Sequence, residues 1–428
     1  MSTQTDRVRP AARRPAGAHR LGLGEGTALL VGAVLGPGVM VLPALAAKAA
    51  GPASILAWAV LLVFSVPVAA TFAALGARHP DGGGVATFVA RAFGRRLAAP
   101  VGWWFFFAVP VGVLAGALVG GEYVAAALGA GRTTAVWIGV AILAAAFGVN
   151  HVGLRLSGRV QLGTVGVLAV LLLVTMIVAA PAGRPVNFTP FAPHGWMAVG
   201  TAAGVLFYAV SGWEAASHLS AEFRDPRRHL PRATGLTLAV VSVLYLSLAV
   251  TTIGVLGAAA GTTPVPLSRL LETAFGAGGR TVTAVAAVFL SFIAVNTYLA
   301  GGARLGAALA RDGALPRALA KGGTPGGVPR RSLTVQMVLC AVAVVGAAVF
   351  GIGLDGLMRV TSACLAAVSC AGMAAALRLL PGRSVLWYGA LAGLAFTALV
   401  LAFSGVLLLI PAVLGLGALC AVGSAPRG

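Results

Sequence analysis

The stretch from Leu29 to Ala47 constrains the fold more than any other part of the sequence. With its flanks it is long and apolar enough to cross a bilayer, which takes roughly 20 residues. Its centre reads Gly36-Pro37-Gly38, and inside a helix glycine costs about 1 kcal/mol and proline about 3 kcal/mol relative to alanine. In hydrocarbon, an interrupted helix is tolerated only where the freed peptide groups face protein, water or a ligand. The stretch therefore predicts a broken transmembrane helix, with a proline kink between packing glycines as the alternative interpretation.

The composition indicates a multi-span membrane protein. Of 428 residues, 59% are hydrophobic and 9% are charged, which is more apolar than a soluble globular chain of this length needs. The formal net charge is +20, but the basic residues are spread over many loops, so we expect no nucleic-acid partner. The four cysteines lie in apolar segments without a CxxC pair. They are predicted to be buried small residues, and no metal or other cofactor is expected.

The apolar stretches predict an all-α integral membrane protein with twelve transmembrane helices. The predicted spans are residues 23–47, 53–76, 101–128, 134–149, 160–180, 197–220, 234–257, 281–303, 332–352, 356–380, 385–403 and 405–423. Only Ser404-Gly405 separates the last two, so this hairpin is the least sharply defined. Residues 1–22 are basic and lack apolar periodicity, and we expect a disordered cytoplasmic tail. A cleaved signal peptide is the alternative, but a full span with a long continuation follows.

The sixth span contains the second irregularity, where Ser211-Gly212 and Glu214 lie near its centre. An ionised glutamate costs roughly 2.5–3.5 kcal/mol at the centre of a membrane helix by insertion scales. Such residues are usually functional or paired, so Glu214 is a candidate proton-carrying group. The alternative is a protonated or hydrogen-bonded glutamate that only ties this span to a neighbour. His218, one turn further on, is more often a structural histidine.

The two interrupted spans are five spans apart, which is the spacing of two five-helix halves with opposite topology. This divides the chain into a first repeat over residues 23–180, a second over 196–380, and two added helices over 385–423. In the third span, Gly112, Gly116 and Gly120 recur every four residues and predict a smooth face for close helix packing. A short interfacial helix is expected between the second and third spans.

The chain resembles an amino acid permease of the APC superfamily, and most closely the bacterial exporters of methionine and branched-chain amino acids. The resemblance rests on four segments that run through the first eight spans: residues 36–47, 82–94, 212–233 and 304–316. It implies a five-plus-five inverted repeat with broken helices 1 and 6, which works by alternating access between the two sides of the membrane.

The resemblance also implies where a free amino acid binds. Its carboxylate meets backbone N–H groups at the first break, and its ammonium meets carbonyls that end the first half of the sixth span. Helix dipoles favour the same polarity. The substrate-binding residues implied are Val34, Gly36, Pro37, Gly38, Val39, Phe207, Tyr208, Ser211, Gly212 and Trp213, with Glu214 for proton coupling. Two departures from the family pattern are Pro37, which offers no N–H, and the absence of a lysine from the fifth span.

The predicted substrate is a neutral apolar amino acid. Val34, Phe207, Tyr208 and Trp213 are expected to line the side-chain pocket, and no charge except that of Glu214 is available to a charged substrate. Tyr208 occupies the place of an aromatic gate in relatives, although simple packing is an equal alternative. The favoured function is proton-coupled export through the bacterial inner membrane, with uptake or exchange as the alternatives. No paired ligands or nucleophile motif indicate an enzyme, and no repeated filter or ring of like charges indicates a channel.

Loop charges predict that both termini are cytoplasmic. Alternate assignment of the loops puts 24 of the 30 lysines and arginines on the side of the N-terminus and 6 on the other side, and basic residues favour the cytoplasmic side. Reporter fusions at Gly428 and within residues 182–195 are therefore expected to report opposite compartments. The same compartment for both fusions would contradict this topology.

Overall fold

The computed structural model describes residues 21–79, 84–153, 158–214, 223–323 and 327–423. Most of the predicted tail, together with Gly82, Gly83 and His218, lies outside these residues. Within them, all regular secondary structure is helical except for one parallel β-bridge between Leu21 and Phe223. The described chain therefore agrees with the all-α prediction.

The described residues contain fifteen α-helices, linked by short turns and 3₁₀ segments. They are α1 Leu23–Val34, α2 Leu42–Ala50, α3 Ser54–Arg78, α4 Gly84–Phe93, α5 Arg95–Ala127, α6 Arg132–Val152, α7 Gly158–Ala179, α8 Met197–Val210, α9 Pro226–Leu256, α10 Pro266–Phe275, α11 Ala277–Arg311, α12 Arg330–Val349, α13 Leu354–Leu379, α14 Val385–Ala402 and α15 Leu409–Gly423.

Ten helical stretches among these residues are long and apolar enough to cross a bilayer, so the chain is a multi-pass membrane protein. Three apolar helices are shorter: α1 has 12 residues, α4 has 10 and α8 has 14. α4 occupies the place of the predicted interfacial helix. α1 and α8 belong to the first and sixth predicted spans, and each ends at the interruption that the sequence predicts.

Several helices extend beyond the predicted spans. α5 begins at Arg95 instead of residue 101, and α11 covers residues 277–311 instead of 281–303. Hydropathy marks only the apolar centre of a span, whereas helical hydrogen bonds continue into charged residues beyond the hydrocarbon.

At the hairpin before α15, Gly405 has a φ of +56° and opens a 3₁₀ turn over Gly405–Leu408.

α5 uses its glycine face to contact three other helices. A Cβ added at Gly112 would lie 3.2 Å from Thr361 of α13, and one at Gly116 would lie 3.6 Å from Val295 of α11. A Cβ at Gly120 would come within 2.8 Å of Ile142 of α6. These close approaches put the glycine stripe in the packing role predicted for it.

The closest contact of α5 generates a prediction about stability. A Cβ at Gly121 would lie 2.1 Å from the backbone oxygen of Ala135 in α6, so Gly121→Ala must push two backbones apart. Overpacking of this kind typically costs about 1–3 kcal/mol, and we expect a lower Tm by tryptophan fluorescence in detergent.

Gly148→Ala is the matched control for this substitution. No atom lies within 4 Å of a Cβ added at Gly148 in α6, and alanine is the better helix former. This variant should unfold at or above the wild-type temperature. A wild-type Tm for Gly121→Ala would contradict the described contact between α5 and α6.

Candidate functional site

The first interruption separates α1 from α2. α1 ends at Val34, Gly36 is extended with φ −89° and ψ 173°, and Pro37 opens a 3₁₀ turn that ends at Met40. Proline cannot donate a backbone hydrogen bond. In addition, the N–H of Gly38 has no hydrogen-bond partner among the described residues. The break therefore leaves a backbone donor free between two helices.

The second interruption follows α8. This helix ends at Val210, and Ser211 has a ψ of 109°, which takes the backbone out of the helical conformation. The Ser211 N–H donates to the carbonyl of Phe207 at 2.9 Å, and its hydroxyl donates to the carbonyl of Tyr208 at 2.9 Å. The chain turns through Gly212 and Trp213 and becomes helical again at Glu214.

The two interruptions are in direct contact. A Cβ added at Gly212 would lie 2.8 Å from the carbonyl oxygen of Ala33 and 3.2 Å from the Cα of Val34, so the backbones approach as closely as only glycine allows. The hydroxyl of Tyr245 in α9 lies 2.9 Å from the carbonyl oxygen of Val34 and 3.4 Å from that of Ala209. One hydroxyl thus holds the ends of both broken helices.

Two further tyrosines of neighbouring helices secure the first break. The ring of Tyr208 covers Gly38, where an added Cβ would lie 2.7 Å from a ring carbon, and its hydroxyl donates to the carbonyl of Gly112 at 3.3 Å. The Tyr123 hydroxyl donates to the carbonyl of Met40 at 2.8 Å and accepts from the N–H of Leu267 at 3.2 Å. The Met40 end of the break is therefore fixed to α5 and α10.

Glu214 is buried beside the second break, with 4% of its surface exposed. The Ser369 hydroxyl of α13 donates a hydrogen bond to its Oε1. The backbone groups of Gly212 and of Glu214 itself also interact with the carboxyl group. Glu214 therefore joins the turn after α8 to α13.

Two connected cavities adjoin the interruptions. A small cavity of about 60 Å³, which we call the pocket, lies between the two breaks, and a larger one of about 720 Å³, the vestibule, lies next to it. The vestibule reaches Leu29, Gly153 and Pro329, which lie towards the side predicted to be cytoplasmic. The residues that line both cavities are Ala33, Gly36, Pro37, Ser211, Tyr298 and Leu365.

Most of the predicted site residues meet at these cavities. Those that line the pocket are Val34, Gly36, Pro37, Gly38, Val39, Tyr208 and Ser211, while Gly212 and Glu214 line the vestibule. Phe207 and Trp213 are buried, with 3% and 2% of their surfaces exposed, but neither lines the pocket or the vestibule. Of the four residues expected to line the side-chain pocket, Val34 and Tyr208 therefore line the small cavity and Phe207 and Trp213 do not.

Tyr245, Tyr298 and Ser369 are functional-site residues that the sequence patterns do not predict. Tyr298 of α11 and Leu365 of α13 line both the pocket and the vestibule, as do residues of the two breaks. A buried tyrosine hydroxyl usually finds a hydrogen-bond partner, and a tyrosine in the middle of an apolar span is the signal that could have identified two of them. Ser369 gives no such signal, because its partner comes from a distant part of the sequence.

The site contains polar groups of several kinds. The described residues contain no group of three or more histidine, cysteine, aspartate or glutamate side chains that could hold a metal. At the vestibule, Asn150 Nδ2 donates to Asn296 Oδ1 at 2.8 Å and joins α6 to α11. The site therefore offers backbone groups, hydroxyls, amides and one carboxyl group.

Comparison with known proteins gives a consistent result over nearly the whole chain. The model of the family described as "Amino acid permease" matches residues 21–421. The chain is 33% identical over 390 residues to the uncharacterized amino acid permease YecA of Bacillus subtilis, covering 91% of this chain and 92% of YecA. It is 32% identical over 380 residues to the L-methionine/branched-chain amino acid exporter YjeH of Escherichia coli, covering 85% and 87%. The branched-chain amino acid permease BcaP of Bacillus subtilis is 27% identical over 323 residues, covering 71% and 69%.

Removal of the shared hydroxyl should weaken the site. Tyr245→Phe removes the hydroxyl from two buried carbonyls, of which that of Val34 keeps a hydrogen bond from the Gly36 N–H at 3.0 Å. A typical intramolecular hydrogen bond contributes about 0.5–1.5 kcal/mol. We expect a lower Tm for the purified protein in detergent. Tyr388→Phe is the control, since Tyr388 is 55% exposed, and it should leave the Tm unchanged. Equal stability of both variants would show that Tyr245 does not hold the broken ends together.

Proposed function

The chain belongs to the amino acid permease family, and we propose that it exports neutral apolar amino acids of the methionine and branched-chain class by proton-coupled alternating access. The observation that carries this proposal is the contact of two interrupted helices around a pocket with a free backbone donor. This arrangement is typical of the substrate site of a secondary transporter. The name of the relative YjeH supports the substrate class and the direction.

The polarity of the pocket suits the two charged ends of a free amino acid. Among the described residues the N–H of Gly38 has no partner, and it lies ahead of α2, whose N-terminal end carries a partial positive charge. On the opposite side, α8 ends in carbonyls, and each keeps a second lone pair when it accepts one hydrogen bond. The substrate carboxylate would bind to the Gly38 N–H at the first break, and the substrate ammonium would bind to the carbonyls at the end of α8.

The lining of the pocket favours an uncharged side chain. Its described lining residues include no lysine, arginine, aspartate or glutamate, and Val39, Val109, Val113 and Leu365 are among them. Its volume of about 60 Å³ is small beside the vestibule's 720 Å³. A leucine or methionine side chain would therefore require the ring of Tyr208 or Tyr298 to move, as expected of gates.

We further propose twelve spans in a five-plus-five inverted repeat over residues 23–180 and 196–380, with 385–423 added. The short helices α4 and α10 support this repeat. Each has ten residues, lies between the second and third spans of its half, and is joined to a long helix by one glycine of positive φ. These glycines are Gly94 with φ +91° and Gly276 with φ +54°. The loop charges put the two corners on opposite sides of the membrane, as an inverted repeat requires.

The position of the vestibule supports an inward-facing state of this transporter. It extends from the breaks to Gly153 and Pro329, on the side that the loop charges assign to the cytoplasm. Towards the other side, the Arg359 side chain of α13 donates to the carbonyl of Thr201 in α8 at 2.9 Å. It also pairs with Asp355 at 2.9 Å. This link would hold the outer part of the sixth span closed.

Counterflow in proteoliposomes tests the proposed substrate. Vesicles preloaded with unlabelled methionine, leucine, isoleucine or valine should accumulate labelled leucine, whereas vesicles preloaded with lysine or glutamate should not. Gly38→Val should abolish the exchange of all four, because the added side chain meets Tyr208 and blocks the backbone donor. Equal counterflow of labelled leucine into vesicles preloaded with lysine or glutamate would contradict the proposed substrate class.

In cells, accumulation of labelled leucine without an outward gradient would favour uptake over export.

Glu214 is the proposed proton carrier, and its amide variant separates binding from coupling. Glu214→Gln keeps the shape and hydrogen-bonding capacity of the side chain but cannot release a proton. We expect counterflow to remain, because exchange needs no net proton movement, while net flux driven by a pH gradient loses its pH dependence. Glu122→Gln, near the outer end of α5, is the control and should retain the wild-type pH profile. An unchanged profile for Glu214→Gln would make this residue structural.

A further inference from the structure

Two asparagines of the vestibule form a pair whose orientation is fixed by hydrogen bonds. Asn296 of α11 is 4% exposed and Asn150 of α6 is partly exposed, and both line the vestibule. Asn150 Nδ2 lies near three oxygens: the carbonyl of Ala146 at 2.9 Å, the carbonyl of Asn296 at 3.2 Å and Asn296 Oδ1 at 2.8 Å. The reverse orientation of either amide would place like atoms against each other. The network therefore distinguishes the nitrogen from the oxygen in both side chains.

This arrangement leaves one donor and one acceptor of the pair unused. Asn296 Nδ2 and Asn150 Oδ1 have no hydrogen-bond partner in the part of the chain that the structure describes, and they do not bond to each other. A buried polar group without a partner is costly. A nearly fully buried amide that lines a cavity of about 720 Å³ therefore marks a place where a ligand can bind.

Other polar side chains of the vestibule are already engaged. Thr164 and Thr297 each donate to the carbonyl four residues earlier, at 2.8 Å. The charged side chains among the described lining residues are Glu214 and Arg304, and both interact with other groups of the protein. The amide pair differs from these side chains because part of its hydrogen-bonding capacity is left.

We propose that this pair is a second binding subsite, which holds a free amino acid between the cytoplasm and the pocket. The proposal rests on the proposed function. Asn296 Nδ2 would donate to the substrate carboxylate, and Asn150 Oδ1 would accept from the ammonium. Apolar walls that include Leu168, Leu290 and Leu333 would contact the side chain. Neutral amides suit a site of passage, because their hydrogen bonds to a zwitterion are weaker than ion pairs and allow it to leave.

The size and position of the vestibule support this subsite. The pocket has about 60 Å³ and the vestibule about 720 Å³, so the vestibule has room for a whole leucine without movement of a ring. Tyr298 lines both cavities and follows Asn296 by two residues, a rise of about 3 Å along the helix. The amide pair therefore lies at the depth of the passage between the two cavities.

Ligand-observed NMR on the full-length protein in detergent tests the subsite with L-leucine. The pocket is first closed by Gly38→Val, so that the remaining binding comes from the vestibule. We expect this variant to bind leucine, and Asn296→Leu in the same background should raise the dissociation constant at least about tenfold, since a hydrogen bond to a charged group is lost. Asn150 Nδ2 keeps two carbonyl partners in this variant, which preserves the contact of α6 with α11.

If Gly38→Val does not fold, Gly38→Ala takes its place, because the added Cβ already lies 2.7 Å from the ring of Tyr208. Gln336→Leu is the matched control. Gln336 of α12 is fully buried and donates to the carbonyl of Phe106 at 3.0 Å, and it is not among the described lining residues of the pocket or the vestibule. Loss of this buried amide should leave the dissociation constant unchanged.

Leucine methyl ester tests which end of the amino acid binds to Asn296. The ester lacks the carboxylate charge, so it should bind more weakly than leucine to the Gly38→Val protein. In Gly38→Val/Asn296→Leu the two compounds should bind about equally. A tenfold preference for leucine that survives Asn296→Leu would overturn the assigned contact.

The outcomes separate the subsite from the proposed function. Equal dissociation constants for Asn296→Leu and Gln336→Leu, or no leucine binding once the pocket is closed, would overturn the subsite. Counterflow by the wild-type protein reports on transport independently. Counterflow without binding in Gly38→Val would remove the subsite and keep the function, whereas binding without counterflow would keep an amino acid site and remove the function.

Discussion

A peptide group that loses its helical partner inside a bilayer has no water to bind instead, and the arrangement around both interruptions follows from this constraint. Hydroxyl groups donate to carbonyls at the breaks: Tyr245 to Val34, with Ala209 at 3.4 Å, Tyr123 to Met40, and Ser211 to Tyr208. Within the described part of the chain, the N–H of Gly38 has no partner. Because most freed groups are paired by the protein, an unpaired donor that lines the pocket marks a point where a ligand can contribute a hydrogen bond.

The interruptions could be predicted from the sequence because their cause is local. Gly36, Pro37 and Gly38 carry a helix penalty wherever they occur, and a glutamate in an apolar span is costly whatever its neighbours. The same holds for the glycine stripe of α5, whose four-residue spacing defines a face before its partners are known. Local penalties and periodicity therefore gave the class of the fold, both breaks and the carboxyl group beside the second.

The walls of the pocket could not be predicted in the same way. Helical periodicity no longer applies where the backbone leaves the helix, so the directions of Phe207 and Trp213 on either side of the second break are set by tertiary packing. Tyr298 and Leu365 come from α11 and α13, about ninety and one hundred and fifty residues from Tyr208. Only the folded chain brings such distant residues to one pocket. The ends of long helices such as α5 and α11 were missed for a different reason, because they contain charged residues that hydropathy does not assign to a span.

The contacts between the two breaks bear on how such a site could change state. Gly212 packs on the backbone at Ala33 and Val34, and Tyr245 bonds to both helix ends, so neither break can move far without the other. Glu214 follows Gly212 by two residues and accepts a hydrogen bond from Ser369 of α13. Loss or gain of a proton on this carboxyl group would alter that hydrogen bond. Under the proposed function, a charge change at one atom would therefore act on α13 and on both interruptions at once, which is the coupling that proton-driven alternating access requires.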